Sequence, residues 1–142
     1  MVDVTEKPEI FREAVAKGSI RLKNETLGLV KEGHVEKGDV FSVARVAGVL
    51  AAKNTSILIP LCHPLPLTNV RVDLKTIKNE VECTVRVRTK APTGVEMEAL
   101  AGVVMTLLTV WDMVKQYEKD ERGQYPSTVV DNVRVVNKTK EG

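Results

Sequence analysis

Three short segments of this chain carry side chains whose types and spacing could support chemistry. They are residues 61–65 (Leu-Cys-His-Pro-Leu), residues 94–100 (Gly-Val-Glu-Met-Glu-Ala-Leu) and residues 112–115 (Asp-Met-Val-Lys). In each segment, ionisable groups stand beside apolar residues that favour burial. Removing such groups from water costs several kcal/mol unless they are paired, so their repeated occurrence indicates a function. Together the three segments indicate an enzyme.

His63 lies between Cys62 and Pro64, where the proline restricts the backbone and the ring can be aimed at a ligand. Imidazole titrates near neutral pH, so His63 suits proton transfer or phosphate binding; the alternative is a loop histidine bonded to nearby backbone. Adjacent side chains of an extended segment point apart, which argues against a Cys62–His63 nucleophilic pair. Two neighbouring ligands without partners do not make a metal site, so none is predicted.

Glu96, Met97 and Glu98 fall in the first turn of a predicted helix. Carboxylates there interact favourably with the helix dipole, and for Glu96 this explanation suffices. Glu98 has a second interpretation, because a carboxylate can accept two parallel hydrogen bonds from the edge of a guanine-like ring. Met97 beside it would pack on the face of such a ring or fill the core.

Asp112 and Lys115 are three residues apart in the same predicted helix. This spacing is typical of an exposed ion pair, but the apolar neighbours also predict a partly buried acid–base couple. Lys37 precedes a helix start, where its ammonium would suit phosphate oxygens or remain solvated. Glu98 and Asp112 project to the same side of the helix but lie about 21 Å apart along its axis. Either the ligand is long or the site is shared by two subunits. An apolar helix that packs against a neighbouring subunit favours the second, so we predict an active site at a subunit interface.

The hydrophobic periodicity indicates elements that would position these groups. Residues 10–22 favour a strand, with a short helix as the alternative. A helix over 25–31, which Asn24 caps and Gly33 ends, and a second helix over 40–53 follow. The proline-rich loop, a hairpin turning at residues 78–79, a helix over 94–118 and a strand over 128–136 complete the order β-α-α-β-β-α-β. This order predicts an α+β, ferredoxin-like fold, an antiparallel sheet with helices packed on one face. Residues 137–142 are expected to be disordered.

Composition narrows the classes of function. The length of 142 residues fits a single domain over 1–142. The net charge is +2 and the chain contains no polybasic tract, so binding to nucleic acid or to an anionic membrane surface is not indicated. The longest uncharged apolar run, residues 99–111, is too short to span a bilayer.

Cys83 alternates with valines and is expected in the core. With a polar amino terminus, the chain is predicted to be cytoplasmic. Residues 99–111 are apolar nearly all round, which favours burial between subunits.

These segments, in this order and spacing, resemble the cyclic pyranopterin monophosphate synthase family of molybdenum cofactor biosynthesis. The resemblance covers most of the chain and is carried by residues 1–4, 12–14, 37–41, 44–48, 51–53, 59–65, 93–100 and 112–115. It departs at the carboxyl end, where Asn-Lys-Thr-Lys-Glu-Gly replaces a lysine- and glycine-rich tail, with Lys138 or Lys140 as substitutes near the phosphates.

The resemblance implies conversion of (8S)-3′,8-cyclo-7,8-dihydroguanosine 5′-triphosphate to cyclic pyranopterin monophosphate with release of diphosphate. It implies a homohexamer, a trimer of dimers, with no required cofactor; a divalent cation accompanying the triphosphate stays open. The family's catalytic residues fall on Asp112, Lys115 and Lys37. Its substrate-binding residues fall on the remaining motif positions, namely Leu61, Cys62, His63, Met97 and Glu98.

The chemistry of diphosphate departure needs positive charge on the leaving oxygens, for which Lys53 and Arg12 are further candidates besides Lys37 and His63. Two rival functions stay open. A ferredoxin-like nucleic-acid-binding module is one, although the hairpin offers Arg86 and Arg88 without an aromatic residue for stacking. A non-catalytic scaffold subunit of a pterin pathway is the other, and it would tolerate loss of Lys37, Asp112 and Lys115.

Overall fold

Strands and helices follow one another in the order β-α-α-α-β-β-α-β in the computed structural model, which describes residues 1–142. The strands are β1 (Ile10–Arg21), β2 (Leu67–Ile77), β3 (Glu80–Ala91) and β4 (Val129–Glu141). The helices are α1 (Asn24–Glu32), α2 (Val40–Lys53), α3 (Thr55–Leu58) and α4 (Glu96–Glu118). The single-turn helix α3 is the one element that the hydrophobic pattern did not predict, because four residues are too few to show a period.

The four strands form one antiparallel sheet in the order β2-β3-β1-β4. Helices α2 and α4 pack against each other, α4 against β1 and β3, and α2 against β2. The α+β, ferredoxin-like class is therefore confirmed. On the opposite face of the sheet Glu13 binds the guanidinium groups of Arg86 and Arg88, at 2.8 and 2.6 Å.

The alternation of small and apolar residues in β1 forms a strand because every second side chain faces the helices. Ala14, Ala16 and Ile20 are almost completely buried there, and Cys83 on β3 is fully buried, as predicted. Gly48 allows α2 to approach α4 closely, since a Cβ at this position would collide with the Thr106 hydroxyl. Helices α2 and α4 therefore cross closely at this glycine.

Two sequence-based expectations are wrong, one about the start of α1 and one about the last residues of the chain. Asn24 does not cap α1: the cap position is Lys23, whose backbone N–H donates to the Glu118 carboxylate instead. Residues 137–142 are not disordered, because β4 continues to Glu141 and pairs with the first residues of β1. Backbone pairing needs no hydrophobic side chains, so the polar tail could extend the strand without a signal in the sequence.

Helix α4 is long and apolar enough to pass for a membrane span by length and composition. Half of its most apolar stretch is buried inside the fold. Ala99, Val103, Leu107 and Val110 are fully buried against the sheet, which makes α4 the core helix.

An apolar surface remains uncovered on the side of the helices that faces away from the sheet. On α4, Val104 and Leu108 are 38% and 45% exposed. The matching residues of α2 and α3 are more exposed still, namely Val43, Val46, Leu50, Ile57 and Leu58. We call these seven residues the outer apolar face.

Candidate active site

The carboxyl-end cluster consists of Lys37, Asp112 and Lys115. The Lys37 ammonium donates to the backbone oxygen of Asp112 at 2.9 Å and lies 3.3 Å from its Oδ2, while Lys115 lies 3.2 Å from Oδ1. Each carboxylate oxygen of Asp112 thus contacts a different ammonium. Lys115 reaches it from the next turn of α4, whereas Lys37 comes from the loop between α1 and α2.

These contacts set the charge of the carboxyl-end cluster. Hydrogen bonds from Lys115 and then from Lys37 hold the pKa of Asp112 below its ordinary value of 3.8. Asp112 is therefore an ionised hydrogen-bond acceptor at neutral pH. The expectation of a partly buried pair holds for Lys115, of whose side chain 44% is exposed, but it is wrong for Asp112 within one chain, because 60% of that side chain is exposed. The apolar neighbours Met113 and Val114 point into the core, and the charged residues point away from it.

The amino-end cluster consists of Cys62, His63, Met97 and Glu98. Glu98 is only 3% exposed, and its Oε1 is buried without a hydrogen-bond partner. The Cys62 thiol contacts the other oxygen, with an Sγ–Oε2 distance of 3.9 Å. Burial, aided by the neighbouring Glu96 carboxylate, raises the pKa of Glu98 above its ordinary value of 4.5. An unpartnered buried oxygen is rare and costly, so Oε1 of Glu98 is a candidate acceptor for a hydrogen bond from a ligand.

The other residues of the motif make no hydrogen bond to Glu98 and have surroundings of their own. His63 Nε2 lies 2.7 Å from the backbone oxygen of Val2, in the amino-terminal segment. Because a carbonyl oxygen only accepts, this contact places the proton on Nε2 and leaves Nδ1 free to accept when the ring is neutral. Met97 is 41% exposed and therefore does not fill the core, and Leu61 is 71% exposed on the loop.

Burial also controls the Cys62 thiol. Desolvation, together with the adjacent Glu98 carboxylate, raises the pKa of Cys62 above its ordinary value of 9.0. A thiol in this state is a poor nucleophile at neutral pH. This agrees with the sequence argument against a Cys62–His63 catalytic pair.

The phosphate candidates lie in two separate places. Arg12 donates from Nε to the backbone oxygen of Ala91 at 3.1 Å and lines a cavity of about 300 Å³ beside the start of α4. In that cavity Lys138 contacts Glu96 at 2.7 Å, and Lys140 is also part of the lining. Lys53, in contrast, lines a different cavity between α2 and β2, and no hydrogen bond or ion pair links it to either cluster.

The two clusters stay apart within one chain. Helix α4 runs without interruption from Glu96 to Glu118, so the 14 residues between the positions of Glu98 and Asp112 span about 21 Å of helix. The structure thus unites Lys37 with Asp112 and Lys115, and Cys62 with Glu98, but does not unite these two groups. No set of three metal-ligating side chains occurs in the described chain.

Sequence reasoning missed two residues that support the carboxyl-end cluster. The Tyr117 hydroxyl accepts a hydrogen bond from the backbone N–H of Glu36, next to Lys37, and Glu118 is fully buried. The sequence shows only a glutamate at the end of an otherwise apolar helix, and this pattern is typical of an ordinary polar helix terminus.

Comparison with known proteins places the chain among close relatives. The model of the MoaC family matches residues 1–141. A protein of Aeropyrum pernix named "Probable cyclic pyranopterin monophosphate synthase" is 59% identical over 140 residues, covering 99% of this chain and 96% of the relative. A protein of Pyrococcus abyssi with the same name is 54% identical, covering 99% of this chain and 88% of the relative. A third, of Saccharolobus solfataricus, is 50% identical over 141 residues, with coverage of 99% and 95%.

Proposed function

This chain belongs to the MoaC family, and from that premise we propose that it is a lyase of molybdenum cofactor biosynthesis. Its reaction is the conversion of (8S)-3′,8-cyclo-7,8-dihydroguanosine 5′-triphosphate to cyclic pyranopterin monophosphate, with release of diphosphate. The observation that carries this proposal is that Asp112 contacts both Lys37 and Lys115, because these contacts join the residues that the family motif assigns to catalysis.

The carboxyl-end cluster supplies the proton carriers. Rearrangement of a purine-derived ring needs protons removed from one position and delivered to another, which positioned lysine and carboxylate groups can do. Asp112 between two ammonium groups holds the negative charge that keeps both lysines in place. The exposed position of all three leaves room for a substrate to approach them.

The amino-end cluster binds the ring of the substrate. The free Oε1 of Glu98 supports this role, since the N–H and amino group of a guanine-like edge would provide the missing donors. Met97 packs on the ring face, while Leu61, Cys62 and His63 form the opposite wall. The buried setting makes each of these hydrogen bonds count more than it would in water.

Positive charge for the triphosphate comes from the cavity beside the start of α4. Arg12, Lys138 and Lys140 bring three cationic side chains to this cavity, against the carboxylates of Glu13 and Glu96. Such charge stabilises the departing diphosphate oxygens. Lys53 would contribute from a neighbouring subunit. The proposal requires no resident cofactor, and a divalent cation accompanying the triphosphate would share the charge of its oxygens.

We further propose that the protein is a cytoplasmic homohexamer, built as a trimer of dimers. Its active sites lie between subunits. The outer apolar face supports an oligomer, because an exposed patch of large apolar residues on a stable fold marks an interaction surface. The 21 Å separation along α4 supports a shared site, since one chain does not bring its two clusters together.

The test of the reaction supplies the cyclised guanosine triphosphate and follows diphosphate release together with a pterin product that oxidises to a fluorescent form. The proposal predicts equimolar formation of both products. Absence of turnover by the unaltered protein would contradict it and favour the scaffold alternative. Tight, salt-sensitive retention of RNA on a filter, without turnover, would favour the nucleic-acid-binding alternative.

A further inference from the structure

The loop that carries Lys37 is exposed and has no regular structure. Between the end of α1 and the start of α2, Val35 is buried, whereas Glu36 and Lys37 face solvent. A turn in which the N–H of Gly38 donates to the oxygen of Val35 shapes the loop, but it does not tie the loop to α4. Ordering an exposed lysine costs conformational entropy, so a further restraint on the neighbouring backbone would help to hold the Lys37 ammonium at Asp112.

Tyr117 provides a restraint at the residue next to Lys37. Its hydroxyl oxygen accepts a hydrogen bond from the backbone N–H of Glu36 at 2.9 Å. A second, exposed contact joins the Gln116 amide to the Glu36 carboxylate at 3.1 Å. The backbone contact matters more, because it fixes the main chain directly and does not depend on the ordering of an exposed glutamate side chain.

Tyr117 itself stands on a rigid base. The next residue, Glu118, is fully buried and joins three elements. Its carboxylate accepts hydrogen bonds from the backbone N–H of Lys23 at 3.1 Å and from the Thr128 hydroxyl at 2.6 Å, and it also contacts the Thr26 hydroxyl. The last turn of α4 is thereby fixed to the start of α1 and to the segment before β4.

We infer that Tyr117 is a positioning residue whose hydroxyl holds the loop of Lys37 in register with Asp112. This inference rests on the proposed function, because it assigns Tyr117 an effect on catalysis through Lys37. The Tyr117 hydroxyl bonds to the Glu36 backbone and not to the substrate-binding residues at the other end of α4. Loss of its hydroxyl would therefore leave substrate binding at the amino-end cluster intact and misplace one proton carrier.

The experiment compares Tyr117→Phe with Tyr125→Phe, since these are the two tyrosines of the chain. We expect Tyr117→Phe to lower kcat about tenfold to a hundredfold with KM nearly unchanged, as small misplacements of catalytic groups do. Tyr125→Phe should keep the kcat of the unaltered protein. A kcat for Tyr117→Phe equal to that of Tyr125→Phe would overturn the inference.

A double-variant test separates positioning from a general structural role. In a Lys37→Ala background, with residual rates followed over hours, Tyr117→Phe should cause no further loss, because the group that it positions is absent. A full tenfold further loss in that background would overturn the inference.

Amide hydrogen exchange gives a readout that does not depend on activity. The backbone N–H of Glu36 should exchange faster in Tyr117→Phe than in Tyr125→Phe, since its acceptor is gone. Equal exchange rates would overturn the inference even if the unaltered protein proved inactive, an outcome that by itself would contradict only the proposed reaction.

Discussion

At the amino end of α4, Glu98 is 3% exposed, lacks a partner for one oxygen and has a pKa raised by burial. At the carboxyl end of the same helix, 60% of the Asp112 side chain is exposed, both oxygens have ammonium partners, and its pKa is lowered by them. The Glu98 carboxyl group is buried and one of its oxygens lacks a hydrogen-bond partner. The Asp112 carboxylate is exposed, and each of its oxygens contacts an ammonium group. Under the proposed function, this difference assigns substrate binding to the amino end of the helix and proton transfer to its carboxyl end.

The largest effect is expected at the carboxyl end. Lys37→Ala should lower kcat by roughly 10²–10⁴-fold, the usual contribution of a positioned proton carrier. Its melting temperature should hardly change, because 41% of the Lys37 side chain is exposed. Lys31→Ala, at the exposed end of α1, is the matched control. If the two variants had equal steady-state rates, the carboxyl-end cluster would have no role in catalysis.

A smaller loss of activity, of a different kind, is expected at the amino end. Glu98→Gln keeps the shape of the side chain but replaces one acceptor by a donor, so it should raise KM about tenfold to a hundredfold. Glu25→Gln, in the exposed first turn of α1, serves as the control. If Glu98→Gln instead lowered kcat and left KM unchanged, the division between a binding end and a catalytic end would be wrong.

The opposite pKa shifts predict opposite pH dependences of stability. The raised pKa of Glu98 means that its contribution is fully present below its ordinary value of 4.5 and is lost as pH rises through the folded-state value. The lowered pKa of Asp112 means that its contribution is present above 3.8 and is lost as pH falls through the folded-state value.

Urea unfolding at several pH values would measure these contributions. The difference in unfolding free energy between the unaltered protein and Glu98→Gln should fall as pH rises from 4.5 towards neutrality. The corresponding difference for Asp112→Asn should rise from strong acid to 3.8 and then stay level. Differences that changed in the same direction for both variants would show that the two carboxyl groups do not differ as described.

The smallest effect concerns Cys62. The Glu98 carboxylate adds to the desolvation that raises the pKa of this thiol, so Glu98→Gln should speed its reaction with iodoacetamide about two- to fivefold at pH 8. Cys83 is an internal control, because it is fully buried and burial raises its pKa to about 12. Peptide mapping by mass spectrometry distinguishes the two. An unchanged rate at Cys62 would mean that Glu98 does not influence the thiol.

Much of this arrangement followed from the sequence, and the parts that did not have physical reasons. The period of the apolar residues located α2 with correct bounds, and Val81 to Val87 revealed β3, because burial of one face imposes a regular pattern. The exposed state of Asp112 did not follow, since a helix of apolar composition gives no sign of where one charged residue emerges. The hydrogen bond between the Glu36 backbone N–H and the Tyr117 hydroxyl joins positions 81 residues apart, so no local sequence pattern predicts it.

The central claim is that each active site combines the amino-end cluster of one subunit with the carboxyl-end cluster of another. Its most direct test is to co-express Lys37→Ala and Glu98→Ala subunits with different tags and to purify mixed particles by both tags. Each variant alone should be nearly inactive, while random mixing restores about one quarter of the shared sites and hence a similar share of the turnover. Mixed particles no more active than the average of the two parents would contradict the claim.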